Sequence, residues 1–244
     1  MAGLNRAYKR RPSMVAMNGG PVLCLDAGSK LSYPGSGTTW TDLSGNGNTG
    51  TLANGPIYDA TNGGSFSFNG TNQYATVAST TAINPADQFT IDAWFNANAA
   101  AIVICSKYVG GGGGYLMHIR EIAGSKYAAI DGRNGNASVA YFTLNTSTAL
   151  TLGSWYNFTC TFNNITLTPY LNGVAVPFTY GAGGTGGVLN GSGTFVNSAP
   201  FYVGQVLSAS YFNGKISCCK LYNRVLSATE ISTNFNLLRG RYGI

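Results

Sequence analysis

The chain has 244 residues, 44% hydrophobic and only 9% charged, with a formal net charge of +6. This suits one large all-β domain with a substantial core; no stretch reaches the length of a transmembrane helix. The 34 glycines indicate tight turns between short strands, and a surface of amides, hydroxyls and backbone groups of the kind found in assemblies or facing sugars.

The charge sits at the ends. Arg6, Lys9, Arg10, Arg11, Arg239 and Arg241 hold six of the 14 basic residues, and the other eight balance eight acidic ones. Residues 1–20 read as a basic arm, with Pro12 and a Gly19-Gly20 hinge before the first strand. Such an arm suits an acidic protein surface or nucleic acid. Tyr8 is its one aromatic, so a nucleic-acid platform is not indicated and docking to a neighbouring subunit is the expectation. The apolar stretch from Met14 to Leu25 is broken at Asn18-Gly19-Gly20-Pro21, unlike a signal peptide, so assembly in a cytoplasm is expected.

Pro21 to Asp26 reads as the first strand. In the loop that follows, Asp42, Asn46 and Asn48 supply hard oxygens among glycines, which is the calcium alternative. The other reading is a set of Asx turns. One carboxylate in seven residues favours the turns, and no cofactor is expected.

Residues 64–68 and 73–77 read as a hairpin around Asn69-Gly70. Phe89, Ile91, Ala93 and Phe95 alternate with Thr90, Asp92 and Trp94, a strand with two distinct faces. An apolar strand at 101–107 precedes five glycines at 110–114, which lack the Lys-Ser/Thr and helix of a phosphate loop. Strands follow at 115–120, 126–131 and 139–144, with a turn at Asn134-Gly135, then at 155–162 and 165–171, with turns at Asn163-Asn164 and Asn172-Gly173. Residues 180–193 read as a long Gly/Thr-rich loop, and 201–205 as a strand. Strands at this spacing with Asn-Gly turns indicate a two-sheet antiparallel sandwich.

After a turn at Asn213-Gly214 comes a strand, with Ile216, Cys218 and Lys220 on one face and Ser217, Cys219 and Leu221 on the other. Ser227 and Glu230 form a capping box for a helix over about 228–238, with Val225 and Leu226 packing back on Ile231. This helix is expected to seal an open end of the sandwich. Residues 239–244 read as a basic tail.

The five cysteines, 24, 105, 160, 218 and 219, fall in strands without CxxC spacing, and read as reduced core residues. Catalysis is not expected. Of the two glutamates, Glu230 belongs to the cap and Glu121 reads as a solvated turn residue; His118 has no nucleophile motif beside it. Exposed tyrosines beside glycine-rich loops, Tyr108, Tyr115, Tyr180 and Tyr211, are the candidates for stacking on sugars.

The closing strand and helix (211–231), with the stretches at 23–28, 40–48, 65–74, 89–94, 155–162 and 170–173, resemble in order the laminin-G-like, concanavalin-A-like jelly rolls. The resemblance covers roughly residues 22–238 and implies a jelly-roll sandwich at 21–238 with a short C-terminal capping helix. The Leu-Asp-Ala-Gly and Trp-Thr-Asp-Leu-Ser-Gly-Asn-Gly-Asn wording is similar to versions carried by tailed bacteriophages. That implies a non-catalytic virion protein, a capsid decoration anchored by its arm and Arg239/Arg241 tail, with a homotrimer as the expected assembly. A glycan-binding adhesin of a tail fibre is the alternative, and a glycoside hydrolase a more remote one.

Overall fold

The computed structural model describes residues 19–85, 87–100, 102–110, 113–133, 141–163, 166–180 and 195–244. In chain order the strands are β1 (Leu23–Asp26), β2 (Thr39–Trp40), β3 (Gly50–Ala53), β4 (Ile57–Asp59), β5 (Ser65–Asn69), β6 (Tyr74–Val77) and β7 (Gln88–Ala97). There follow β8 (Ile102–Val109), β9 (Gly113–Ile122), β10 (Ser125–Arg133), β11 (Tyr141–Leu150), β12 (Trp155–Asn163) and β13 (Thr166–Leu171). The last are β14 (Val174–Ala175), β15 (Phe178–Tyr180), β16 (Phe201–Val203), β17 (Gln205–Val206), β18 (Ser210–Tyr211) and β19 (Asn213–Tyr222), before helix α1 (Ala228–Leu238).

The expected all-β sandwich is what forms. One antiparallel sheet runs β14-β13-β12-β7-β19-β5-β4, with β1 also on β19; the other runs β15-β11-β10-β9-β8-β16-β6-β3-β2. Phe89, Ile91, Ala93 and Phe95 of β7 enter the core between the sheets, while Trp94 faces out, as the alternation predicts. Burying each such aromatic or aliphatic side chain stabilises the fold by about 1.5–3 kcal/mol. All five cysteines are free and buried.

Ser227 caps α1 from an extended conformation (φ −69°, ψ 157°): its hydroxyl accepts from the Glu230 amide at 3.3 Å, and the Glu230 carboxylate accepts from the Ser227 amide at 2.9 Å. Leu226 packs with Ile231, Tyr170 and Tyr222; Val225 lies outside that cluster. The helix does not seal an open end of the sandwich: Ile231 packs on Tyr170 and Tyr222, and Phe235 and Leu238 on Trp94, so it covers the outer face of the eight-stranded sheet. No helix among the described residues is long and apolar enough to cross a membrane.

Three local expectations are corrected. Asn69-Gly70 does not turn a hairpin: β5 pairs with β4 and β19 in one sheet, and β6 with β3 and β16 in the other. The Asn69 side-chain oxygen accepts from the Thr71 and Asn72 amides and turns the chain across the sandwich. Asn213-Gly214 lies inside β19, where a Cβ on Gly214 would collide with the Asn96 carbonyl. Ile216 does not share a face with Cys218 and Lys220. A bulge between Ile216 and Cys218 sends Ile216, Cys219 and Leu221 to the core, and Cys218 to the outer face. The Asn172-Gly173 turn is as expected, both residues left-handed (φ 51° and 76°). The 1–18 part of the arm, the turns at 134–135 and 163–164 (from Asn164 on), and the 181–193 stretch lie outside the described residues.

Candidate functional site on the outer face of the nine-stranded sheet

Strands β9 and β10 are joined by Ala123-Gly124, both left-handed (φ 48° and 82°), a two-residue turn that fixes the register. His118 then stands opposite Ala129, Arg120 opposite Tyr127, and Leu116 opposite Asp131. On β11, Thr143 faces Asp131 and Asn145 faces Ala129; on β15, Thr179 faces Asn145. Residues directly opposite share a face. Tyr115, Met117, Ile119, Ile130 and Leu144 take the other one, into the core. A polar patch is thereby assembled on the outer face from four strands.

Arg120 Nη2 donates to Asp131 Oδ2 at 2.8 Å, and His118 Nε2 lies 3.2 Å from the same oxygen. Around this charge pair, Asp131 Oδ1, Thr143 Oγ1 and Asn145 Oδ1 are buried and have no hydrogen-bond partner among the described residues. These three atoms are closed off from solvent, and each unmet group costs the fold about 1–3 kcal/mol. At the same end, Ile122, Tyr127, Thr146, Ser147 and Thr179 line a hollow of about 230 Å³. A second, wholly different hollow of about 480 Å³ lies at the strand ends, lined by Asn84, Asp87, Gln88 and Asn223 among others.

The expected tyrosines are placed unequally. Tyr115 is a correction: it is wholly buried, its ring stacked on Phe89 at 4.7 Å, because β9 turns it inward with Met117 and Ile119. The alternation Tyr115, Met117, Ile119 carried that signal in the sequence. Tyr108 and Tyr211 are half-buried at one corner, where the β17–β18 hairpin lies on β8 and the Ser106 hydroxyl donates to the Gln205 carbonyl at 2.7 Å. Tyr180 is exposed at the sheet edge, its ring against Phe178 at 5.3 Å. Tyr127 and the Tyr74–Tyr202 pair, 5.9 Å apart, also belong to the outer face and were missed, since only the register places them there.

The calcium candidates take the other reading. Asp42 Oδ1 accepts from the Cys24 and Ser44 amides, and Oδ2 from the Asn48 amide and the Ser44 hydroxyl. Asn48 Oδ1 accepts from Thr80, and the Asn46 amide group donates to Ser44. The Asp42 oxygens are spent on backbone amides and the Ser44 hydroxyl, which tie this loop to β1, and the Asn48 oxygen on Thr80. The basic tail is also corrected. Arg241 Nη1 donates to Asp26 Oδ1 at 2.7 Å, and Tyr242 stacks on Trp94 at 4.2 Å, so the C-terminus is part of the fold; Arg239 is exposed. Glu121 and Asp131 do not approach each other: they lie five pairs apart along β9–β10 on opposite faces, about 16 Å of strand. Glu121 is instead 3.5 Å from Lys126.

Residues 69–232, or 164 of the 244, match the Concanavalin A-like lectin/glucanases superfamily. The chain belongs to this superfamily. The superfamily fold recurs in the botulinum neurotoxin serotype G binding domain (TM-score 0.67, 17% identity, 89% of this chain and 51% of that one). It recurs in the binding domain of Paraclostridial Mosquitocidal Protein 1 (0.63, 17%, 89% and 52%). It is also that of domain 4 of AbnA, an extracellular arabinanase from Geobacillus stearothermophilus, solved with arabinotriose (0.63, 15%, 88% and 98%). At these identities the likeness is one of fold, and the chain spans about half the length of the toxin binding domains. No curated protein matches the chain by sequence.

Proposed function

We propose that the chain is a non-catalytic glycan-binding domain that reads sugar on the outer face of the nine-stranded sheet. The observation that carries this is the open hollow of about 230 Å³ on that face, where the half-buried Tyr127 ring stands beside the exposed hydroxyls of Ser147 and Thr179. Sugar hydroxyls exchange hydrogen bonds with such side-chain hydroxyls, and an aromatic ring packs on the apolar face of a pyranose or furanose. Structural neighbours support the class: the arabinanase domain was solved with arabinotriose, and the toxin relatives are binding domains. Asp131 is the one carboxylate on that face among the described residues, whereas glycoside hydrolysis uses two. A glycan array with the wild-type chain and Tyr127→Ala tests the reading. Binding lost in the variant supports it; no binding by the folded wild type across plant, bacterial and animal glycans would sink it.

The finer reading is carriage on a virion, as a capsid decoration or tail component, with the basic arm docking to a neighbour. Its support is the phage-like wording at 23–28 and 40–48, and one contact: Arg224 Nε donates to the Gly19 carbonyl at 2.7 Å. Arg224 also holds Glu230 of α1, so Gly19 sits beside the start of that helix. Sedimentation with particles, lost on deleting residues 1–18, is the expected outcome; equal sedimentation of both forms would remove the arm from the account.

A further inference from the structure

The outer face of the eight-stranded sheet holds a second polar centre that glycan binding does not use. Lys220 of β19 stands directly opposite Asp92 of β7. Both are interior residues, 1% and 4% exposed. The C-terminal segment roofs them over: Ile231 packs on Tyr170 and Tyr222 at one end, and Leu238 and Tyr242 on Trp94 and Trp155 at the other.

Lys220 Nζ lies 4.0 Å from Asp92 Oδ1, and among the described residues neither atom has a hydrogen-bond partner. The far oxygen is held tightly: Asp92 Oδ2 accepts from Asn157 Nδ2 and Thr159 Oγ1, both at 2.7 Å. A separation of 4.0 Å is no hydrogen bond. An ammonium left without a hydrogen bond in a dry interior is costly, and transfer of one proton from Nζ to the carboxylate removes both charges from it. After that transfer the two are a nucleophile and an electrophile held side by side on paired strands, which removes most of the entropic barrier to their reaction. Asn157 and Thr159 stand where negative charge builds up as the carboxyl carbon is attacked, the arrangement of an oxyanion hole.

We propose that Lys220 and Asp92 condense into an intramolecular amide that staples the last strand to β7. A proton passes from Nζ to Asp92 Oδ1. The Nζ lone pair then attacks Cγ and forms the C–N bond, with the negative charge on Oδ2 held by Asn157 and Thr159. Oδ1 takes a second proton from Nζ, the Cγ–Oδ1 bond breaks, and one water leaves. No oxidant, metal or second substrate is consumed, and both unpartnered charged atoms disappear.

The test is the intact mass of the purified full-length chain, followed by tryptic mapping. The expected mass is one water below that of the sequence. Trypsin should not cut after Lys220, and peptide 216–224 should appear as a branch on peptide 31–107. Lys220→Met, which keeps an unbranched chain of four heavy atoms without the amine, should run at its own full mass. An unmodified wild-type mass, or a dehydration mapped to another residue, overturns the proposal. Both results are read on the wild-type chain, so they do not depend on whether the variant folds. Thr159→Val, which removes one oxyanion donor, should leave a measurable unlinked fraction; complete linkage there would mean that the donor plays no part.

Discussion

Arg241 and Asp26 stand 215 positions apart in sequence, yet Arg241 Nη1 donates to Asp26 Oδ1 across 2.7 Å. The next residue, Tyr242, lies against Trp94 and Trp155 with ring centres 4.2 and 4.6 Å away, and its hydroxyl donates to Ser217 at 2.8 Å. The last residues therefore lock the first strand and the outer face of the eight-stranded sheet. Arg241→Ala leaves a nearly buried carboxylate unpaired and should cost about 1–3 kcal/mol in urea unfolding. Tyr242→Ala removes a buried ring and should cost about 3–5 kcal/mol. Unchanged midpoints in both would mean that the C-terminus is a dispensable tail.

Acid should loosen two surface clamps. Hydrogen bonding from Arg224, together with the Ser227 amide, holds the Glu230 carboxyl down to about 2 from an ordinary 4.5. Lys215 and the Thr61 hydroxyl hold Asp59 down to about 2 from 3.8. Folded values below unfolded ones mean stability that is present above pH 4.5 and is lost as pH falls towards 2. Both carboxylates are partly solvated, which weakens the effect. Thermal midpoints of wild type and Glu230→Gln should therefore differ at pH 6 and converge at pH 2; a constant gap would put the effect elsewhere.

The sandwich was legible because period-two alternation survives in single strands: Phe89, Ile91, Ala93 and Phe95 point inward and Trp94 outward. The capping box was legible because Ser227 and Glu230 are three residues apart and need no tertiary partner. The bulge at Ser217 was not, since one extra residue reverses every later side chain without any local signal. The candidate site was hidden for a related reason. His118, Asp131, Asn145 and Thr179 meet only through the pairing of four strands, and a shift of one residue in any pair would turn its strand's contribution to the core.

Lys107 gives an alkaline signature of opposite sense to the acid one. It is fully buried, and its ammonium donates to Ser79 Oγ and to the carbonyls of Asn197 and Ala199. Burial pushes its pKa down from 10.5 to about 8. Between those values the unfolded chain holds a proton that the folded one has released, so this group's contribution to stability rises with pH. Burial raises the Cys24 thiol from 9.0 to about 12, which acts the other way above pH 9, so the difference between wild type and Lys107→Met is what must be followed. The wild type should gain on the variant from pH 8 to 10.5; parallel curves would contradict the assignment.

Two tyrosines separate folding from recognition. Tyr115, stacked on Phe89 in the core, should cost about 3–5 kcal/mol as Tyr115→Ala. Any glycan binding it loses should return in proportion to the folded fraction, because its ring never meets solvent. Tyr127 is only half-buried and lines the outer hollow. Tyr127→Ala should stay within about 0.5 kcal/mol of wild-type stability, as ordinary surface substitutions do. Its glycan affinity should fall about tenfold, a change of about 1.4 kcal/mol. Thr179→Val should weaken binding in the same way, and at an exposed edge position it should not destabilise the chain as Tyr115→Ala does. Equal affinity for wild type, Tyr127→Ala and Thr179→Val would move the sugar off this face, and the hollow at Asn84, Asp87, Gln88 and Asn223 would then be the place to mutate.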